Sequence, residues 1–297
     1  MIRDKTILVT GGCGFVAGRI AEIMGEHNRV DVVDNMRYWK EIKGVEPKGC
    51  KIIKKNIDAS IPLDHYDYII HGATVNIIHA MSDMRACVDT NFTQTLAFFD
   101  RIPKETPVLY LSTASVYGNG IMFPTSEVCR VAPSNAYAMT KLLAEQYLLD
   151  HHPRAVVARL SNVYGPRQRP ENAYSGVMVK MLISAIKGSR FTVYGDGVQT
   201  RDFTYVDDVV DACSILLEKG REGQVYNVGT GVETSVAQLL RYLHRDTEIE
   251  HVKGRSIDNI FRRCLDIRKI GMDTGWKPRV SLDQGIALTK EWLEGIV

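Results

Sequence analysis

Apolar runs of strand length recur through the first half of the chain, at 6–9, 30–33, 52–53, 68–70, 108–111 and 155–160. Between most of them the apolar positions fall at helical spacing instead. Helices are expected over 15–26, 84–101, 137–151, 176–187, 206–219 and 236–244, each bounded by Gly, Pro, Asn or Asp. Alternating strands and helices of this kind predict βαβ units and hence an α/β fold with a doubly wound parallel sheet. Beyond about residue 165 the strand signals shorten, and the loop-like segments 165–170, 195–197 and 229–231 interrupt them. The expected division is a sheet domain over 1–165, recruiting parts of 200–230, and a smaller α/β lobe over 166–297.

Composition narrows the function classes more than the fold. The 297 residues are 45% hydrophobic, 24% charged and 8% aromatic, the make-up of an ordinary globular protein with a packed core. Lys and Arg number 37 against 35 Asp and Glu, and no basic block stands out, so a nucleic-acid partner has no electrostatic footprint. Six cysteines, at 13, 50, 87, 129, 213 and 264, form no C-x-x-C pair, and no His cluster has metal-ligand spacing. Reduced thiols, no metal and a cytoplasmic location are therefore expected. No apolar stretch approaches the roughly 18 residues of a membrane span.

Two constellations carry candidate chemistry. The run ending at Thr10 leads into Gly11-Gly12-Cys13-Gly14-Phe15-Val16 and then a helix. Glycine at 11 permits a tight turn, and glycine at 14 lets backbone N–H groups approach a pyrophosphate at the positive end of the helix. About twenty residues on, Asp34 closes the second run, where a carboxylate accepts from ribose hydroxyls and repels a 2′-phosphate; this favours NAD over NADP. The second constellation is Leu111-Ser112-Thr113-Ala114-Ser115-Val116-Tyr117-Gly118, followed by Tyr137 and Lys141 four apart on one helix face. A lysine ammonium beside a phenol favours the phenolate, and a threonine hydroxyl would serve the same reacting oxygen. Tyr-x-x-x-Lys pairs also occur on exposed helices with no such role, so spacing alone does not decide.

In order, these segments resemble the extended short-chain dehydrogenase/reductase family, in particular NAD-dependent nucleotide-sugar epimerases and dehydratases of the UDP-glucose 4-epimerase type. TGGCGFVAG, VVDN, STASVYG, PSNAYAMTK, RLSNVYGPRQRP, VYGDGVQTRDFTYVDDVVDA, YNVGTG and GWKPRVSLDQGI carry the likeness over nearly the whole chain. The resemblance implies that Gly11, Gly14, Phe15 and Val16 hold the pyrophosphate of NAD and that Asp34 and Asn35 hold the adenosine ribose. Asn56 and Ile57 would touch adenine, with Ala73, Thr74 and Asn91 along the cofactor. Thr113, Tyr137 and Lys141 match the catalytic trio, the last two also facing the cofactor. Asn162, Val177, Thr192, Tyr194, Arg201, Arg255 and Asp258 match positions that grip the nucleotide diphosphate, and Thr113 also touches the sugar. Two departures stand out: Ala17 replaces the third glycine of the turn, and His71-Gly72-Ala73-Thr74 replaces the usual HLAA.

The activity so implied is inversion at C4 of a UDP-linked or related sugar through a transient 4-keto sugar. A 4,6-dehydratase would need an Asp-Glu pair after the catalytic threonine, where this chain has Ala114 and Ser115, and the decarboxylases carry Glu in place of Ser115. A 4-ketoreductase needs only the trio, and a non-catalytic NAD-binding regulatory or scaffold protein could share the fold. The resemblance also implies a homodimer through helices 84–101 and 137–151. There Cys87, Phe92, Leu96 and Phe99 form an apolar stripe that suits either an interface or the chain's own core.

Overall fold

A computed structural model describes residues 2–40, 45–58, 60–171, 176–243, 247–254 and 260–297. The strands are β1 (Thr6–Thr10), β2 (Arg29–Asp34), β3 (Lys51–Lys54), β4 (Tyr68–His71), β5 (Val108–Thr113), β6 (Ala155–Leu160), β7 (Asn162–Tyr164), β8 (Phe191–Tyr194), β9 (Thr200–Tyr205), β10 (Gln224–Val228), β11 (Glu233–Ser235) and β12 (Ile249–Val252). The helices are α1 (Phe15–Gly25), α2 (Ile77–Ser82), α3 (Met84–Val88), α4 (Thr95–Asp100), α5 (Ala136–His151), α6 (Val177–Lys187), α7 (Val206–Lys219), α8 (Val236–Leu239), α9 (Arg268–Thr274) and α10 (Leu282–Glu294).

Seven strands form one parallel sheet in the order β10-β6-β5-β4-β1-β2-β3. Helices cover both faces, which is why the inner strands read as apolar runs. One face buries Ile7, Val9, Leu109 and Val156 against α1 and α7; the other buries Leu8, Ile69, Tyr110 and Val157 against Phe98 and Phe99 of α4 and Leu148 of α5. Strand order reverses between β1 and β4, so their carboxyl ends diverge into a crevice, the place where doubly wound sheets take ligands.

The chain leaves this sheet after β6, builds a second layer, and comes back. β11, β9 and β7 make a three-stranded sheet and β12 pairs with β8, around a separate core that includes Tyr164, Met181, Leu182, Phe203 and Ile286. Between these pieces α7 packs on α1, and β10 takes the sheet edge beside β6.

The stretch expected as one helix over 84–101 is α3 and α4 joined by a π-helical segment, Asp89–Gln94. Of its apolar stripe, Cys87 and Phe99 are buried within the chain and Phe92 and Leu96 are half-buried. The helix expected over 236–244 is shorter, with α8 ending at Leu239 and one tight turn, Leu240–Tyr242, after it.

Candidate active site

A cleft of about 400 Å³ opens at the carboxyl end of the sheet, bordered by the glycine turn, by Asp34 to Trp39, by Ala73 to Asn76, and by Thr113, Tyr137 and Lys141. At its first end Gly11 has φ +68°, and a Cβ there would stand 2.6 Å from the backbone of Ala73. Only glycine meets both demands. Its N–H donates to Val33 O, tying the turn to β2. Helix α1 then starts at Phe15 with Gly14 as N-cap, and no side chain caps it. Its first N–H groups and the positive end of its dipole are thus left for an anion, which fits a pyrophosphate.

Asp34 Oδ2 accepts from Cys13 N at 3.0 Å and Oδ1 from Met36 N at 2.7 Å. Burial pushes this carboxyl up while the two N–H groups hold it down. Each oxygen keeps a second acceptor direction for a ribose hydroxyl. Asn35 donates from Nδ2 to Asn56 Oδ1 at 2.8 Å, so the two asparagines form one polar edge beside Ile57, and all three line the cleft.

At the other end β5 delivers Thr113, whose Oγ1 accepts from Ser115 N at 3.1 Å and starts a tight turn, Ala114–Tyr117. Asn135 caps α5 through Ala138 N at 2.9 Å, which sets Tyr137 on the first turn and Lys141 one turn deeper. Lys141 is 2% exposed, with Nζ 4.1 Å from the centre of the Tyr110 ring. Burial pulls its ammonium down to about 7, even though Glu145 and Cys87 pull the other way.

Beneath the trio lies a buried polar layer. Glu145, a further turn along α5, is gripped by the fork of Arg159 and accepts from Ser112 Oγ at 2.9 Å. Arg159 Nη1 also donates to Tyr117 OH, which donates to Asn227 Oδ1 at 2.7 Å. This layer ties α5, β5, β6 and β10 together under the reacting groups.

The sugar-nucleotide positions expected in the second lobe lie together. Asn162 and Gln168 line both the main cleft and an adjoining cavity of about 170 Å³, whose walls include Val177, Thr192, Tyr194 and Arg201. Arg255 and Asp258 lie outside the described residues.

Asn91 does not line the cleft. It is buried, its Nδ2 donating to Val75 O and its Oδ1 accepting from Val75 N and Thr74 Oγ1, so it shapes the 74–75 wall from behind. His71, held between Thr10 Oγ1 and Thr95 Oγ1, is fully buried and driven well below its usual range by desolvation. It is a neutral strand residue.

Among the lining residues that the motifs do not mark are Tyr38, Trp39 and His79, while Arg263 closes the 259–263 stretch that was expected to shape the sugar pocket. Tyr38 and His79 stack at 3.8 Å across the cleft edge, joining the loop after β2 to α2; Trp39 stands beside them. Arg263 reaches in from the far end of the chain and donates to Ser115 Oγ at 3.3 Å.

The family model described as the NAD dependent epimerase/dehydratase family matches residues 7–229. Among curated proteins, the chain is 30% identical to human dTDP-D-glucose 4,6-dehydratase, over 97% of this chain and 89% of that one. It is also 30% identical to a putative UDP-glucose 4-epimerase of Methanocaldococcus jannaschii, over 97% and 98%. A solved UDP-N-acetylglucosamine 4-epimerase from Methanobrevibacter ruminantium superposes with a TM-score of 0.90 at 25% identity, covering 100% of both chains. A family model matching well over half of the chain, and curated relatives that align with nearly all of it, show that the chain belongs to the NAD dependent epimerase/dehydratase family.

Proposed function

We propose that the protein inverts C4 of a nucleotide-diphosphate sugar, UDP-linked as in its epimerase relatives. One observation carries the reading: Thr113, Tyr137 and Lys141 border the same cleft as the dinucleotide-binding turn, and the positions after Thr113 hold no acid or base. Ala114 is fully buried, and Ser115 is bound to Thr113 and Arg263. Neither supplies the acid and base that loss of the 6-hydroxyl requires, which sets the chain apart from its dehydratase relatives.

NAD, which the Gly11–Val16 turn, Asp34 and Asn35 would hold, would supply a reversible hydride acceptor for C4. The chain's own residues do the rest. Thr113 and Tyr137 hold the 4-hydroxyl, and Tyr137 removes its proton and later restores it. Lys141 supports the phenolate. Arg201, with Arg255 from outside the described residues, holds the diphosphate while the keto sugar turns over. The NAD-loaded Tyr137→Phe protein should lose about 10²- to 10⁴-fold in C4 inversion of UDP-sugars, followed by chromatography, while still binding NAD. Near-normal turnover in that variant would sink the reading.

We also place the protein in the cytoplasm as a homodimer. Met84 and Val88 on α3 and Met139 and Leu143 on α5 are exposed on helices that pack together, an apolar face suited to a second copy. Sedimentation of Leu143→Glu should show a shift toward monomer.

A further inference from the structure

We infer that the sugar subsite is built for a hexose carrying a carboxylate, with Arg263 as the residue that selects it. The inference rests on the reading that the cleft takes a nucleotide sugar.

Arg263 is presented by a stiff support. Thr125 N donates to Cys264 O at 2.8 Å and Asp266 N to Thr125 O at 2.9 Å, so the segment is stitched to residue 125 on both sides of Leu265. Leu265 N donates to Asp202 Oδ2, and its side chain is buried with Ala114, Val116 and Tyr117. On an extended segment, residues two apart share a face. Arg263 therefore lies on the same side as Leu265, toward the turn that follows Thr113, and its Nη1 meets Ser115 Oγ there. Arg262 faces away and pairs with Glu233.

The chemistry of that end suits an anion on the sugar. Thr113, Ser115, Asn76 and Asn162 offer neutral hydrogen bonds, and Lys141 is buried against Tyr110 under the phenol, out of position to serve as the anion's partner. The one carboxylate among the described lining residues, Asp34, stands at the adenosine end. A guanidinium keeps its charge at all working pH values and presents parallel N–H groups that match a carboxylate. A diphosphate would compete for such a group, but the second cavity already offers Arg201 beside Thr192 and Tyr194.

Binding to the NAD-loaded protein, measured by calorimetry, tests this independently of turnover. UDP-glucuronate should bind about 10- to 100-fold tighter than UDP-glucose, and Arg263→Met should remove most of that ratio while leaving UDP within about threefold. Equal affinity for the two sugars in the wild type would overturn the inference. So would a loss on Arg263→Met shared equally by UDP-glucuronate, UDP-glucose and UDP, which would make Arg263 a diphosphate ligand. Consumption of the same sugars by the wild type, read separately, judges the epimerase reading: the expected ratio without any turnover would leave Arg263 as the carboxylate ligand and refute the enzyme.

Discussion

The methyl group of Ala17 occupies the space that a side chain at position 72 would need: a Cβ on Gly72 would lie 2.9 Å from Ala17 Cβ and 3.1 Å from both Leu111 Cδ1 and Thr10 O. Of the second departure from the family pattern, the glycine at 72 is thus matched to the first, the alanine at 17. An alanine in the third position of the turn is accommodated because the strand end facing it carries glycine. Gly72→Ala should cost about 1–3 kcal/mol by overpacking, and Ala17→Gly alone about 0.5–1 kcal/mol through its helical backbone. The double variant should be more stable than the sum of the two costs, as read by urea denaturation. Simple additivity would show that the two positions do not share this space.

Lys141 should make stability depend on pH in a defined window. Below about 7 folded and unfolded chains both carry the ammonium, and the cost of burying it is present in full. Between about 7 and the ordinary 10.5 the unfolded chain holds a proton that the folded chain has released, so stability rises with pH; above both values the cost is gone. Cofactor-free Lys141→Met should thus be more stable than the wild type at neutral pH, by roughly 1–4 kcal/mol, with the gap narrowing toward pH 10. Denaturation at several pH values checks this; a gap that stays constant would contradict it. The same variant should be inactive.

Asp34 holds the backbone of the turn through Cys13 N and Met36 N, and in the proposed reading it also holds the ribose. In Asp34→Asn one acceptor oxygen becomes a donor that faces either Cys13 N–H or Met36 N–H, and the negative charge is lost. NAD binding should weaken about 10- to 100-fold, the worth of charged hydrogen bonds. The preference for NAD over NADP should narrow as well, since the repulsion of a 2′-phosphate is gone. Fluorescence titration with both dinucleotides reads both effects; an unchanged preference would relieve Asp34 of that role.

What the sequence made legible follows physical range. The six apolar runs coincide with β1–β6 because strands covered on both faces need no alternation, and each run declares itself locally. The seventh strand, β10, falls in the 200–230 stretch that the sheet was expected to recruit, but Asn227 breaks its apolar run; the burial of Tyr226 and Asn227 depends on partners such as Asp273 and Tyr117 supplied by other segments. The glycine turn, Asp34, Thr113, Tyr137 and Lys141 were legible because each sits on a short motif. Asn91 lies on the π-helical segment, a local detail that helical periodicity does not resolve, and its side chain turns inward to Val75 instead of toward the cleft. The Tyr38–His79 stack joins a loop to the short helix α2, two segments that share no motif. Arg263 stands beside an identical neighbour, and which of the two enters the cleft is decided by the stitching of Cys264 and Asp266 to Thr125, a register no single segment encodes.

The return of the chain to the sheet has a consequence during synthesis. All six residues of β6 are buried in the finished protein, yet the strand that covers its outer side is β10, made after the whole β7–α7 excursion. Until 224–228 leave the ribosome, the nascent chain presents β6 as an open, largely apolar edge. A fragment ending near 165 would keep that edge for life, and its fate is self-association rather than a working half-enzyme.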